Sequence, residues 1–249
     1  MNIDVLGWRK KFGVLGPSTN TIVQPEFDAM RPDGVTNHYS RILTPNAKAI
    51  SNEAFMAGSM KIAEGVIAAV ESVLTCEPDY LVMGMSAITF FGGLAGSKAF
   101  TQKVNAVSGL GVSTGAEATA AALRTFPGVK TVSFLSPYYP VANTEVRRFY
   151  TESGFEVIDD ICLQCPSWTA IAKVPSALLR GKLLELAAGK ADAIVQVGTN
   201  LCMAELAGEM EVTIGRPVIA INTATYWHAL RHCGIKDRIT GFGQLLEAY

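Results

Sequence analysis

Short apolar bursts alternate with longer segments whose apolar residues recur at helical spacing, along the whole chain. Tyr80-Leu81-Val82-Met83 is one such burst, and an unbroken apolar run is how a strand covered on both faces reads. Strands are expected on this basis at residues 12–15, 80–85, 111–114, 129–135, 155–158, 193–197 and 217–221. Ala-rich helices are expected at residues 46–75, 117–125, 143–153, 176–188, 202–210 and 224–232. Each strand tends to end in Gly, Pro, Ser or Thr before the next helix. This alternation predicts βαβ units on open parallel sheets, an α/β fold. Ligands of such sheets bind at the carboxyl ends of strands, so the chemistry belongs to residues just after each strand.

The pattern also repeats. Val14-Leu15-Gly16-Pro17-Ser18 is similar to Phe134-Leu135-Ser136-Pro137-Tyr138. Pro78-Asp79-Tyr80-Leu81-Val82 is similar to Ala191-Asp192-Ala193-Ile194-Val195. Gly111-Val112, with Ala122-Leu123-Arg124 in the helix after it, is similar to Pro217-Val218 with Ala229-Leu230-Arg231. The partners of each pair lie roughly 110–120 residues apart and keep their order, which predicts a duplicated unit. Two similar Rossmann-like halves with parallel sheets follow, related by a pseudo-twofold axis, with the active site in the cleft between them. The first half is assigned to residues 1–115 plus 225–249 and the second to residues 116–224.

Composition narrows the class. Nearly half of the 249 residues are hydrophobic (49%), yet no apolar run reaches membrane-spanning length. The net charge is −1 and basic runs are short, which argues against nucleic acid as a partner. Trp8-Arg9-Lys10-Lys11 interrupts any apolar leader, and five cysteines leave one unpaired, so the expectation is a cytoplasmic protein with reduced thiols.

Three strand ends carry candidate chemistry. Pro17-Ser18-Thr19-Asn20-Thr21 is rich in hydroxyl and amide groups and reads either as a carboxylate-binding loop or as a helix N-cap. Gly84-Met85-Ser86-Ala87 and Gly198-Thr199-Asn200 end matching strands of the two halves, where backbone N–H groups and hydroxyls can hold an oxyanion. Pro137-Tyr138-Tyr139-Pro140 offers a phenol to a ligand oxygen, or else packs as a Pro-rich turn. Cys162-Leu163-Gln164-Cys165 lacks a second pair or a nearby His to complete a metal site. Cys202 falls near a helix start, where a thiol pKa can drop, and also reads as core. His228 and His232 share a helix face without an identifiable third ligand. Neither a Walker A loop, nor GxGxxG, nor a nucleophile elbow is present, so a nucleotide cofactor has no support.

Together these segments resemble the Asp/Glu racemase superfamily, in its maleate cis-trans isomerase and arylmalonate decarboxylase branch. The stretch from Gly13 to Thr21, with Glu26 and His38-Tyr39-Ser40-Arg41, resembles the start of maleate isomerases. Val82-Met83-Gly84-Met85-Ser86 through Phe90 and on to Leu123, and Tyr138 with Asn143, resemble arylmalonate decarboxylase. The resemblance implies a cofactor-free enzyme, by family habit a homo-oligomer, that binds a small carboxylic acid between its halves. Ser18, Asn20, Ser86, Tyr138 and Thr199 would hold the carboxylate. Racemases of the superfamily use two cysteines, maleate isomerases one as nucleophile, and arylmalonate decarboxylase one as proton donor. Here Met85 or Gly84 occupies the first cysteine position and Gly198 the second; Cys202 lies four residues beyond. An expected ligand Asn near Ser167-Trp168 is also replaced, and Trp168 makes that wall aromatic.

The expectation is therefore a decarboxylase or lyase with Ser86, Tyr138 and Thr199 at the reacting centre. Ser18, Asn20, Gly84, Met85, Trp168, Gly198 and Asn200 would contact the substrate, without metal or cofactor. Three alternatives stand beside it. One is a hydrolase of a small ester, lactone or amide, for which Ser86 needs a base such as His228. The others are a cis-trans isomerase of a maleate-like diacid and an inactive small-acid binding module.

Overall fold

The computed structural model describes residues 4–46, 48 and 50–249. The first half is built on β1 (Lys10–Pro17), β2 (Val35–Ile42), β3 (Tyr80–Met83) and β4 (Val112–Ser113), in the order β2-β1-β3-β4. The second is built on β5 (Thr131–Ser136), β6 (Glu156–Cys162), β7 (Ala193–Gln196) and β8 (Val218–Ala220), in the order β6-β5-β7-β8. Every pairing is parallel. The two orders are the same, and β1/β5, β3/β7 and β4/β8 are the pairs matched in the sequence repeat.

The central strands form because both faces are covered. Phe12, Val14 and Leu15 of β1 and Val132, Phe134 and Leu135 of β5 are completely buried. Their cover comes from α1 (Val23–Ala29), α2 (Asn52–Glu64), α3 (Val66–Leu74), α4 (Ala87–Phe90), α5 (Gly93–Ser108) and α6 (Gly115–Thr125) in the first part of the chain. In the second part it comes from α7 (Pro140–Glu152), α8 (Ser176–Ala188), α9 (Ala204–Ile214), α10 (Ile221–His232) and α11 (Gln244–Ala248). The helices that follow the fourth strands, α6 and α10, pack on each other, and α10 also lies against β3, β4 and α1.

The departures from expectation have physical causes. The whole of β2 escapes the pattern because it is an edge strand, whose Asn37, His38, Ser40 and Arg41 break the apolar run. Among the described residues, the helix expected at 46–75 is two helices broken at Gly65 and starts at Asn52, where the Ser51 side chain accepts the Ala54 N–H; residues 47 and 49 of the expected span lie outside the described residues. Gly65 packs tightly against Ile42, a Cβ there meeting its Cγ2 at 3.2 Å. Helix α5 hides behind Gly93, Gly96 and Ser97 in its first turns, and α1 behind Pro25, which is tolerated within the first helical turn. Cys202 precedes α9 and is not in its first turn.

Phe134 is fully buried on β5 and lies 6.2 Å from the Tyr150 ring. Phe134→Ala is expected to cost about 3–5 kcal/mol, read as a fall in the urea midpoint at unchanged slope.

Candidate active site

The loops after β1, β3, β5 and β7 converge on one cavity between the sheets, where about 480 Å3 of space, open solvent at its mouth included, is unfilled by protein atoms. Asn20, Met85, Ser86, Tyr138, Trp168, Gly198, Thr199 and Asn200 all line it. Two of the expected residues do not. Ser18 is exposed, and its hydroxyl is engaged by Thr44, accepting the backbone N–H at 2.9 Å. Gly84 is wedged between β1 and α1: its N–H donates to Leu15 O at 2.7 Å, and a Cβ would meet Val23 at 3.1 Å. Thr19 takes the place expected of Ser18.

Hydrogen bonds link the polar residues across the cleft. Ser86 Oγ and Tyr138 OH are 2.6 Å apart. Thr199 N–H donates to Ser86 Oγ at 3.3 Å, and Asn20 Nδ2 donates to Thr199 Oγ1 at 3.1 Å. Asn20 is itself held by its Oδ1, which accepts the N–H groups of Ile22 and Val23 at 2.9 Å. Asn200 accepts the Thr21 N–H through Oδ1 (3.0 Å) and donates through Nδ2 to Trp168 O (2.9 Å), joining both halves to the aromatic wall.

A layer of residues behind the cavity fixes these groups. Ser136 Oγ accepts the Tyr138 N–H at 3.1 Å and donates to Asn143, whose Nδ2 donates to Asp160. Asn222 Nδ2 donates to Thr199 O at 2.9 Å and to the partly buried carboxyl group of Glu26 at 2.6 Å. Gly198 adopts φ +106°, and a Cβ there would fall 2.4 Å from Pro137 Cδ. This turn lets the Thr199 N–H face Ser86.

The other wall is apolar. Met85, Ile88, Ile62, Trp168 and Ile171 line it, and Phe55 stacks behind, 5.4 Å from the Tyr138 ring and 5.1 Å from the Trp168 ring. Ser59, Ile62, Ile88 and Ile171 were not expected from the strand-end rule. The signal for Ser59 and Ile62 lies in helix periodicity, since with Phe55 they form an i, i+4, i+7 stripe.

Among the described residues, those lining the cavity include no Cys, His, Lys, Arg, Asp or Glu. Burial pushes the Tyr138 phenol well above its ordinary value, so it is a neutral O–H group throughout the physiological range.

The arylmalonate decarboxylase family profile matches residues 16–246. The chain belongs to that family. It is 26% identical to the maleate isomerase of Pseudomonas putida, over 95% of this chain and 97% of that one. It is 28% identical to the maleate isomerase of Geobacillus stearothermophilus over 122 residues, about half of each chain (48% and 48%). Its fold matches a maleate cis-trans isomerase of Nocardia farcinica with a covalently bound succinylcysteine intermediate, at a TM-score of 0.87 and 20% identity over 96% of this chain and 99% of that one. It also matches arylmalonate decarboxylase, at a TM-score of 0.74 and 19% identity over 95% and 98% of the chains. Its homologues are thus enzymes that act on small carboxylic acids. No helix among the described residues is long and apolar enough to cross a membrane.

Within this family member, the side chains considered as bases or thiols lie elsewhere. Cys202 is exposed as a residue, but partial desolvation of its thiol, with Glu26 and Glu205 nearby, raises its pKa, the reverse of activation at a helix N-terminus. Cys165 is buried and pushed up to about 11. His228 does not reach the cavity; its Nδ1 is 2.7 Å from Ser113 Oγ, and its ring lies 4.0 Å from that of His232. Ser86 therefore has no histidine partner.

Two outcomes follow. Gly198→Ala is expected to lose about 1–3 kcal/mol of stability in urea unfolding, because alanine meets both the positive φ and the Pro137 ring. Burial, with His232 beside it, depresses the His228 pKa to about 4. An unfolded histidine titrates near 6.5, so between about pH 6.5 and 4 the unfolded chain holds the extra proton. Stability present above that window is lost as pH falls through it. Unfolding free energies from urea titrations at about pH 7.5 and 5 are expected to differ by on the order of 2 kcal/mol from this residue, and His228→Gln removes that part.

Proposed function

We propose that this protein is a cofactor-independent decarboxylase of a malonate-type acid carrying an apolar group. The observation that carries the reading is the make-up of the cavity: neutral O–H and N–H donors on one side, an apolar wall on the other, and no thiol, imidazole or charged group among the described lining residues. Decarboxylation asks for neither nucleophile nor base at the bond-breaking step. One carboxylate of the substrate accepts hydrogen bonds from Tyr138, Ser86, Thr199 and Asn20. The other lies against Met85 and Ile88, where burial without a partner disfavours its charge. The bond from the α-carbon to that carboxyl breaks and CO2 leaves. The electron pair passes into the retained carboxyl as an enediolate, and the same donors stabilise its developing charge in a low-dielectric site. A proton from Tyr138 or water then completes the acid.

Hydrolysis through Ser86 is less well supported, because no base lines the cavity to take its proton. Cis-trans isomerisation is the second reading, favoured by the likeness to maleate isomerases over nearly the whole chain. It requires an atom that adds to the double bond, and Ser86 is the candidate here.

A proton NMR time course in D2O with 2-aryl and 2-alkyl malonates, maleate and small lactones separates these readings. The expected result is loss of one carboxyl group with a single deuterium at the α-carbon. Conversion of maleate to fumarate, or ring opening without carbon deuteration, would overturn it. Tyr138→Phe and Ser86→Ala are each expected to lower kcat by about 10²–10³-fold, while binding of an unreactive monoacid weakens far less.

A further inference from the structure

Helix α2 lays one face over the cavity, and that face is Phe55, Ser59 and Ile62, all buried. Ser59 breaks an otherwise apolar stripe. It is 1% exposed, it lines the cavity, and its Oγ is buried without a hydrogen-bond partner. A buried serine or threonine in a helix ordinarily turns its hydroxyl back to its own backbone. Thr119 and Thr225 do so in this protein, donating to Gly115 O at 2.9 Å and to Ile221 O at 2.7 Å. Ser59 does not. Other hydroxyls are also orphaned, such as Ser97 in α5 and Ser133 in β5, but among the described residues Ser59 is the one that lines this cavity.

An unpaired buried hydroxyl costs stability, and alanine would serve the helix and the apolar stripe better. The immediate surroundings explain the reach of the site towards α2. Trp168 packs against the helix at Gly58, where a Cβ would meet its Cζ2 at 2.8 Å, so the indole wall and Ser59 border the same space. The donors that would hold the retained carboxyl come from strand ends, whereas Ser59 comes from the covering helix.

We infer that Ser59 is a specificity residue: its hydroxyl pairs with a hydrogen-bonding atom on the group that the substrate carries beyond its α-carbon. The preferred acids are thus those whose apolar group bears one hydroxyl, carbonyl or ether oxygen, not pure hydrocarbons. The inference rests on the cavity being the acid site, but not on which bond the enzyme breaks.

The test uses monoacids that have no second carboxyl to lose. Binding of phenylacetate and of its 2-, 3- and 4-hydroxy derivatives is measured by calorimetry on the wild-type protein and on Ser59→Ala. At least one hydroxylated acid is expected to bind the wild type about tenfold more tightly than phenylacetate, with that gain erased in Ser59→Ala. Phenylacetate itself should bind the variant at least as well. The unliganded variant should also show a raised urea midpoint, whereas a structural serine would lower it. A gain that survives in Ser59→Ala, no gain with any isomer, or a lowered midpoint would overturn the inference. If none of the four acids binds, the acid-site reading fails and this inference falls with it. Binding as expected without turnover of any malonate would remove only the decarboxylase reading.

Discussion

The partly buried carboxyl group of Glu26 makes the contacts on which the geometry of the cleft depends. It sits on α1 in the first half, and burial pushes its pKa up. Three donors oppose that effect, all from the second part of the chain: the N–H groups of Met203 (2.8 Å) and Ala204 (2.9 Å), and Asn222 Nδ2 (2.6 Å). A buried acidic group is tolerable only when its oxygens are paired in this way. The same Asn222 amide group holds Thr199 O, so the loop that carries Thr199 is fastened from behind. Asn20 holds the Thr199 hydroxyl from the other side. The Thr199 N–H is left facing Ser86, and the donor cluster is assembled before any ligand arrives.

That preorganisation matters because the site has little else to work with. Its polar groups are neutral, and they are paired with one another: Ser86 with Tyr138, Asn20 with Thr199. On the reading proposed above, an arriving oxyanion would exchange these contacts for stronger, charge-assisted ones without first reorganising water. The apolar wall lowers the local dielectric and strengthens the same contacts. The proposed decarboxylation would draw on charge stabilisation instead of on a nucleophile.

The duplication supplies a symmetric frame, but the site in it is asymmetric. Equivalent strand ends carry Asn20 and Tyr138 in one pair of loops, and Ser86 and Thr199 in the other. The covering elements differ further, with α2 on one side and the Trp168 segment on the other. A fold that offers two similar sets of loops can therefore hold the two ends of an unsymmetrical acid differently. Function belongs to those loops and not to the sheets beneath them.

Much of this was legible in the chain. The central strands announce themselves because burial on both faces demands unbroken apolar runs, as in β3 and β7. The repeat fixes their pairing between halves, and the rule that ligands meet the carboxyl ends of parallel strands leads directly to Asn20, Ser86, Tyr138 and Thr199. Edge strand β2 and the Gly-rich start of α5 stayed hidden because partial exposure and glycine erase the local pattern. Which hydroxyls of a strand-end loop face the ligand was also not local information: Ser18 is claimed by Thr44, a residue 26 positions away, and Gly84 by the close approach of β1. Ser59, Ile62, Ile88 and Ile171 reach the cavity only through packing. The sequence alone determined the duplicated α/β frame and most of the donor cluster, because short-range patterning encodes burial and strand ends. Only the tertiary structure decided the apolar wall, the exclusion of His228 and the cysteines from it, and the orphan hydroxyl beneath α2, because those depend on which distant surfaces close over the cleft.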